Sequence, residues 1–189
     1  MRHDKIDTEI SIERNKLIRK TWLVETVLDF LTSVMIIFPF PIISTVLFVD
    51  QIKNDGLYIV GSSMFFIVSI VIGSLLFYST INLNKLKRIQ GGLKKQNRNS
   101  ILTLSEKLGW EILRHNQKMA ILKPSWSIAS LDWGQQIVVL FDRQDILINS
   151  TTYGLHDIKS PFHWFVNRKN EKKLKLQFQA EIERHANKK

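Results

Sequence analysis

Residues 30–49, FLTSVMIIFPFPIISTVLFV, and residues 56–84, GLYIVGSSMFFIVSIVIGSLLFYSTINLN, hold no charged side chain. They run for 20 and 29 residues. At 1.5 Å of rise per residue, each is long enough to cross a hydrocarbon core of roughly 30 Å as a helix. Residues 99–189 are different: charged and apolar residues are mixed throughout, as in a water-soluble domain. The pattern predicts a membrane α-helical hairpin of two transmembrane helices, followed by a small α+β domain. The expected layout is a helical segment at 1–21, a hairpin at 22–83 with an external loop at 50–56, a basic linker at 84–99, and the domain at 100–189.

The chain has 189 residues and a formal charge of +10. It has no cysteine. Disulfides, thiolate catalysis and cysteine-ligated metal centres are therefore excluded. Lys and Arg crowd the flanks of the apolar pair. Arg14, Lys16, Arg19 and Lys20 precede it, and Lys85, Lys87, Arg88, Lys94, Lys95 and Arg98 follow it, the latter run without an acid. Lys53 alone stands between the two stretches. Basic residues near span ends stay in the cytoplasm, so both termini are expected there. The late start and length of the first stretch argue for a retained anchor over a cleaved signal peptide.

The run 85–98 supports two readings. The simpler is topology plus contact with anionic headgroups, worth about 1 kcal/mol per cation near the surface. Nucleic-acid binding is disfavoured, because no aromatics interleave the cations.

The first apolar stretch carries two irregularities. Glu25 and Asp29 are four residues apart, on one helical face. The simpler reading is an interfacial helix extension; the sharper one is a polar path for an ion or proton. Pro39 and Pro41 each remove a helical donor, so they kink or break the helix. The second stretch is plainer. Tyr58 and Tyr78 suit the two interfaces, and Ser69 with Gly73 allows close packing of a neighbouring helix, most simply the first span. Before the hairpin, residues 8–20 read as helical, either lying on the interface or extending the first span.

Gly91-Gly92 marks a joint, and a helix is predicted over 101–108. Thr103 and Glu106 have capping-box spacing there, with Gly109 as the terminating residue. Four strands are expected at 110–115, 119–122, 136–141 and 146–150, with turns at Asn116-Gln117 and at 142–145. Residues 151–159 read as loop. Ser160-Pro161 begins a last helix, which has a candidate break at Asn167. Leu174, Phe178 and Ile182 form its apolar stripe. The order helix, four-strand antiparallel sheet, C-terminal helix predicts two layers, with the helices on one sheet face.

From LGWEI through VVLFDRQDILINS to NRKNEKKL, roughly residues 100–183, the chain resembles the cytosolic α+β domains of bacterial two-span membrane proteins of unassigned function. Ile148-Asn149-Ser150 and residues 164–174 carry the resemblance most. It implies a bacterial inner-membrane location and assigns no activity, so no functional residue is carried over.

His115, His156 and His163 with Asp132 and Asp157 are the only polar set that suggests a metal or acid–base site, and their spacing matches no metal signature. A solvated loop explains them equally well. No catalytic residue, metal ligand or cofactor is assigned. Trp126, Trp133, Phe162, Trp164 and Phe165 either complete a small core or meet a partner or the bilayer interface. The expected function is a membrane-anchored, non-enzymatic interaction or assembly module. Its partners would be an anionic bilayer and a protein or a second copy of the chain. The alternatives are an accessory subunit of a transport or channel assembly, favoured by Glu25, Asp29, Pro39 and Pro41, and a metal-binding or hydrolase domain.

Overall fold

The structure, a computed structural model, describes residues 6–19, 27, 31, 33–35, 37–53, 59–125, 134–153 and 160–186. Two compact units emerge: Met1–Thr21 with Leu83–Lys189, and Trp22–Asn82 between them. The apolar pair is therefore an insertion within a folded domain, and not a segment that precedes one.

The domain is built on five antiparallel strands: β1 (Lys87–Gln90), β2 (Glu111–His115), β3 (Met119–Lys123), β4 (Gln135–Asp142) and β5 (Asp145–Thr152). Their order is β1-β5-β4-β3-β2. The four expected strands form the meander. The fifth, β1, lies in the stretch predicted to be a basic linker and pairs Lys87 to Ile148 and Gln90 to Asp145. Its burial explains why it reads as linker. Only Ile89 points inward, and the other three side chains are exposed, as a polar edge strand requires.

A tight turn joins β4 to β5 between Asp142 and Asp145, with Arg143 at φ 47°. The two aspartates face each other across the strands, a pairing that repels. Arg88 on β1 resolves it by donating through Nη1 to Asp142 Oδ2 at 2.7 Å and to Asp145 Oδ2 at 2.9 Å. Those bonds, to Asp145 first and then Asp142, raise the Arg88 pKa above its ordinary value.

One sheet face carries Ile137, Val139, Phe141, Ile146 and Ile148. It is covered by Ile101 and Leu104 of one helix and by Leu174 and Phe178 of the last. Burying each such side chain is worth about 1.5–3 kcal/mol. The first of these helices, Lys94–Lys107, starts earlier than the predicted residue 101. Thr103 is interior to it, so no capping box forms; the N-cap position is Leu93, without a side-chain cap bond. Its end is as expected. Gly109 takes φ +66°, Gly109 N donates to the Glu106 carbonyl, and Trp110 N donates to the Ser105 carbonyl. Those paired bonds close the helix as a Schellman motif. The last helix, Trp164–Ala186, follows a 3-10 turn at Pro161–His163 and runs unbroken through Asn167.

The opposite sheet face is not left to solvent. Met119, Ile121, Val138, Leu140 and Leu147 pack with Leu17 and Leu86, and against Ile6 and Ile12. The N-terminal segment therefore forms a partial third layer. Its helix, α1 (Thr8–Glu13), is short, capped by Asp7 Oδ1 accepting from Ile10 N at 3.2 Å. Beyond it the chain pairs Ile6 with Arg19 and Lys16 with Lys85. The expectation of one continuous helix over 8–20 fails because Leu17 is drawn into the sheet core.

In the inserted unit, α2 (Pro39–Lys53) and α3 (Ile59–Asn82) pack side by side. The helices of the domain are then α4 (Lys94–Lys107) and α5 (Trp164–Ala186). Pro39 is the first residue of α2, after a bend at Phe38. Helical bonds flank that bend, from Phe38 N to the Val34 carbonyl and from Ile42 N to the Phe38 carbonyl. Pro41 falls in the first turn of α2, where a missing donor costs least. The helix continues through Asp50 to Lys53, past the expected start of the external loop. A Cβ on Gly73 would stand 2.9 Å from Pro41 Cγ, so the two helices meet at a position only glycine fits.

Candidate functional site

Strand β5 reads DILINSTT, and its second half explains the site. Asn149, Ser150, Thr151 and Thr152 are four consecutive polar residues, all buried. Because strand side chains alternate, two point to each sheet face. At this end of the sheet, both faces of the core turn from apolar to polar. The predicted end of the strand at Ser150 was two residues short for this reason: a polar run reads as loop.

On the face of the N-terminal layer, Asn149 Nδ2 donates to the carbonyls of Leu83 at 2.8 Å and Lys85 at 3.0 Å. Thr151 Oγ1 supports it by donating to Asn149 Oδ1 at 2.7 Å. Leu17 N donates to the Asn84 carbonyl at 2.6 Å, and Leu86 N to the Asn15 carbonyl at 3.1 Å. The two strands of chain flanking the insertion are thus stitched to each other and to β5.

On the helix face, Asn167 of α5 accepts through Oδ1 from Thr152 Oγ1 at 2.9 Å, Ser150 Oγ at 3.3 Å and Gln135 Nε2 at 3.4 Å. One turn on, Glu171 Oε1 accepts from Ser150 N at 3.1 Å, and its other oxygen pairs with Lys87 of β1. This network ties the start of α5 to the end of β5, as does Ser160 N donating to the Thr152 carbonyl at 2.9 Å. Ser160 Oγ lies 2.8 Å from His163 Nδ1, and burial lowers the His163 pKa below its ordinary value.

Outside that polar core stand aromatics. Phe162 and Phe165 are 55% and 69% exposed, so they do not complete the core. Trp164 is half-buried, with its ring centroid 3.8 Å from that of Phe165 and the Arg168 guanidinium 5.0 Å from its own. Trp126 and Trp133 lie outside the described residues, as do Glu25, Asp29, His156, Asp157 and Asp132. His115 is exposed on β2. Among the described residues, no group of three or more His, Asp or Glu side chains is arranged to hold a metal.

The six cations of 85–98 separate into distinct environments. Lys87 and Arg88 are paired with Glu171 and with Asp142 and Asp145. Lys85 is exposed beside the insertion. Lys94, Lys95 and Arg98 line an open hollow of about 460 Å³ with Gln117. That hollow adjoins the start of α4, where Gly91 N and Asn97 Nδ2 both donate to the Gln144 carbonyl. It therefore belongs to the opposite end of β5 from Asn149–Thr152, a strand length of about 25 Å away.

No protein-family model matches the chain, and no curated protein or solved structure is significantly similar to it.

Proposed function

We propose that this protein is a membrane-anchored, non-enzymatic interaction module of the bacterial inner membrane. The inserted helical pair crosses the bilayer twice, and the α+β domain lies in the cytosol, where it engages a protein partner.

One observation carries the reading. Taken with the helical residues before the Phe38 bend, the stretch Ser33–Lys53 that ends in α2, and α3 itself, Ile59–Asn82, are long and apolar enough to span, yet their most apolar stretches are only 12% and 11% buried. The core helix of a water-soluble protein would be mostly covered. Leaving this much contiguous apolar surface in water is unfavourable at roughly 25 cal/mol per Å². Lipid covers it without further protein. The domain supports the same arrangement from its connectivity. Residues 6–19 and 83–186 belong to one folded unit, so both flanks of the insertion lie in one compartment. An insertion that leaves and returns on the same side makes an even number of crossings. The Lys and Arg on both flanks favour the cytosolic side.

The test is a pair of reporters fused after Asp55, one active only outside the cytosol and one only inside. Activity of the external reporter is expected. A cytosolic signal at that point overturns the topology. For the partner, crosslinking in intact membranes followed by mass analysis is expected to give a defined adduct through the domain. A chain that stays uncrosslinked and monomeric in its native membrane sinks the interaction reading.

A further inference from the structure

The outer face of α5 concentrates positive charge. Arg168, Lys169, Lys172, Lys173 and Lys175 fall in its first half, and the only acid among them, Glu171, is buried and paired with Lys87. Arg168 and Lys172 are four residues apart, as are Lys169 and Lys173, and like charges at that spacing destabilise a helix. The helix rests on the sheet through its opposite face, where Asn167, Glu171, Leu174 and Phe178 are buried; Arg168 and Lys173 also meet the rings of Trp164 and Trp110, at 5.0 and 5.8 Å, whereas Lys169 and Lys172 are exposed on the outer side.

Three apolar side chains share the exposed side. Phe165 and Leu176, 69% and 55% exposed, are eleven residues apart, with Lys169 and Lys172 between them on the same stripe. Phe162 extends the stripe at the start of the helix. Aromatic and aliphatic groups set among cations, on a helix with its other face anchored, match the interface of an anionic bilayer.

Within the folded domain, the start of this helix and the residue that follows the insertion are held by the same strand end. Leu83 follows the last residue of α3 directly, and its carbonyl is held by Asn149 of β5. The start of α5 is held by the same strand end, through Thr152 and Ser160. We infer that the outer face of α5, through Phe162, Phe165, Lys169, Lys172 and Leu176, lies in the headgroup region of an anionic bilayer. It would act as a second contact that fixes how the domain meets the membrane. The inference rests on the membrane reading above and goes beyond it in naming the surface and the lipid charge.

The absence of cysteine allows a clean test in the full chain. Phe165→Cys, Val60→Cys and Glu106→Cys variants are labelled with bimane. Each is reconstituted in nanodiscs of phosphatidylcholine, with or without phosphatidylglycerol, containing brominated lipids. Val60 lies in α3 and reports the anchor; Glu106 lies exposed on α4 as the control. The Phe165 label is expected to be quenched by shallow bromines in anionic discs, with little quenching at Glu106. Lys169→Glu and Lys172→Glu should each weaken the ratio of engaged to disengaged domain by about fivefold or more, the equivalent of one surface cation. Leu176→Cys repeats the measurement should Phe165→Cys fold poorly. Quenching at Val60 with none at Phe165 or Leu176 overturns the inference, leaves the anchor standing, and gives the face to an acidic protein. Absence of quenching at all three overturns the anchor as well.

Discussion

Asn149 Nδ2 lies 2.8 Å from the carbonyl oxygen of Leu83, the residue at which the chain re-enters the domain after its apolar insertion. A buried amide therefore holds the exit of the insertion to the fifth strand. Its second bond, to the Lys85 carbonyl at 3.0 Å, makes the clasp two-pronged.

Removing that amide takes its bond from the Lys85 carbonyl and leaves the Leu83 carbonyl the Thr151 hydroxyl at 3.5 Å. Asn149→Ala is expected to lower stability by about 2–3 kcal/mol. Thr151→Val removes only the supporting hydroxyl and should cost about 1 kcal/mol. Thermal midpoints of the detergent-solubilised chain check the ranking. An Asn149→Ala midpoint equal to wild type would show that the clasp carries no stability.

Phe178 is fully buried against the sheet from α5. Phe178→Ala opens a cavity in the larger core and is expected to cost about 3–5 kcal/mol. Phe165→Ala, on the exposed side of the same helix, should change stability by less than about 0.5 kcal/mol. Denaturant titrations of the two variants side by side measure the difference.

His163 introduces a pH dependence of definite sign. Its folded-state pKa is lowered by burial, so the unfolded chain binds the proton more readily. Stability from this residue is thus fully present above the unfolded value of about 6.5 and declines as pH falls from there toward the folded value. His163→Gln should flatten the loss of thermal midpoint between about pH 7 and pH 5. An unchanged slope would assign the pH dependence elsewhere.

Gly73 meets Pro41 where a Cβ would stand 2.9 Å from the ring. Gly73→Leu is expected to push α2 and α3 apart, whereas Gly61→Ala, with nothing within 4 Å, should be silent. Disulfide trapping between cysteines placed at Phe48 and Phe66, whose rings stack 5.0 Å apart, reads the separation directly. Trapping as fast in Gly73→Leu as in the parent refutes a close-packing role.

Glu171 is buried beneath Lys87, which is half exposed. Lys87→Met leaves a buried carboxylate held, among the described residues, by the Ser150 amide, and is expected to cost about 1–2 kcal/mol, less than for a fully buried pair. Adding Glu171→Gln should recover most of it. A double variant no more stable than Lys87→Met would deny the coupling.

The amino-acid sequence by itself determined the features that depend on neighbours along the chain. The apolar pair is legible from the length of its uncharged runs. Gly109, Ser160-Pro161 and the spacing of Leu174 and Phe178 mark helix ends and a buried face through local backbone and periodicity rules. The candidate aromatics at Phe162 and Phe165 were legible by type, but whether they were core or surface was not.

What only the tertiary structure decided involves partners far apart in sequence. Lys87–Gln90 is a strand because Asp145–Ile148 offers it an edge, and nothing within its own four residues demands that. Asn149–Thr152 is buried because Leu83, Lys85, Asn167 and Glu171 supply its hydrogen bonds from both sides. The first 21 residues group with the domain because Leu17 and Leu86 fill the second face of the sheet. Strand pairing and polar burial become favourable only when remote groups supply the missing hydrogen bonds, so composition and periodicity do not reveal them.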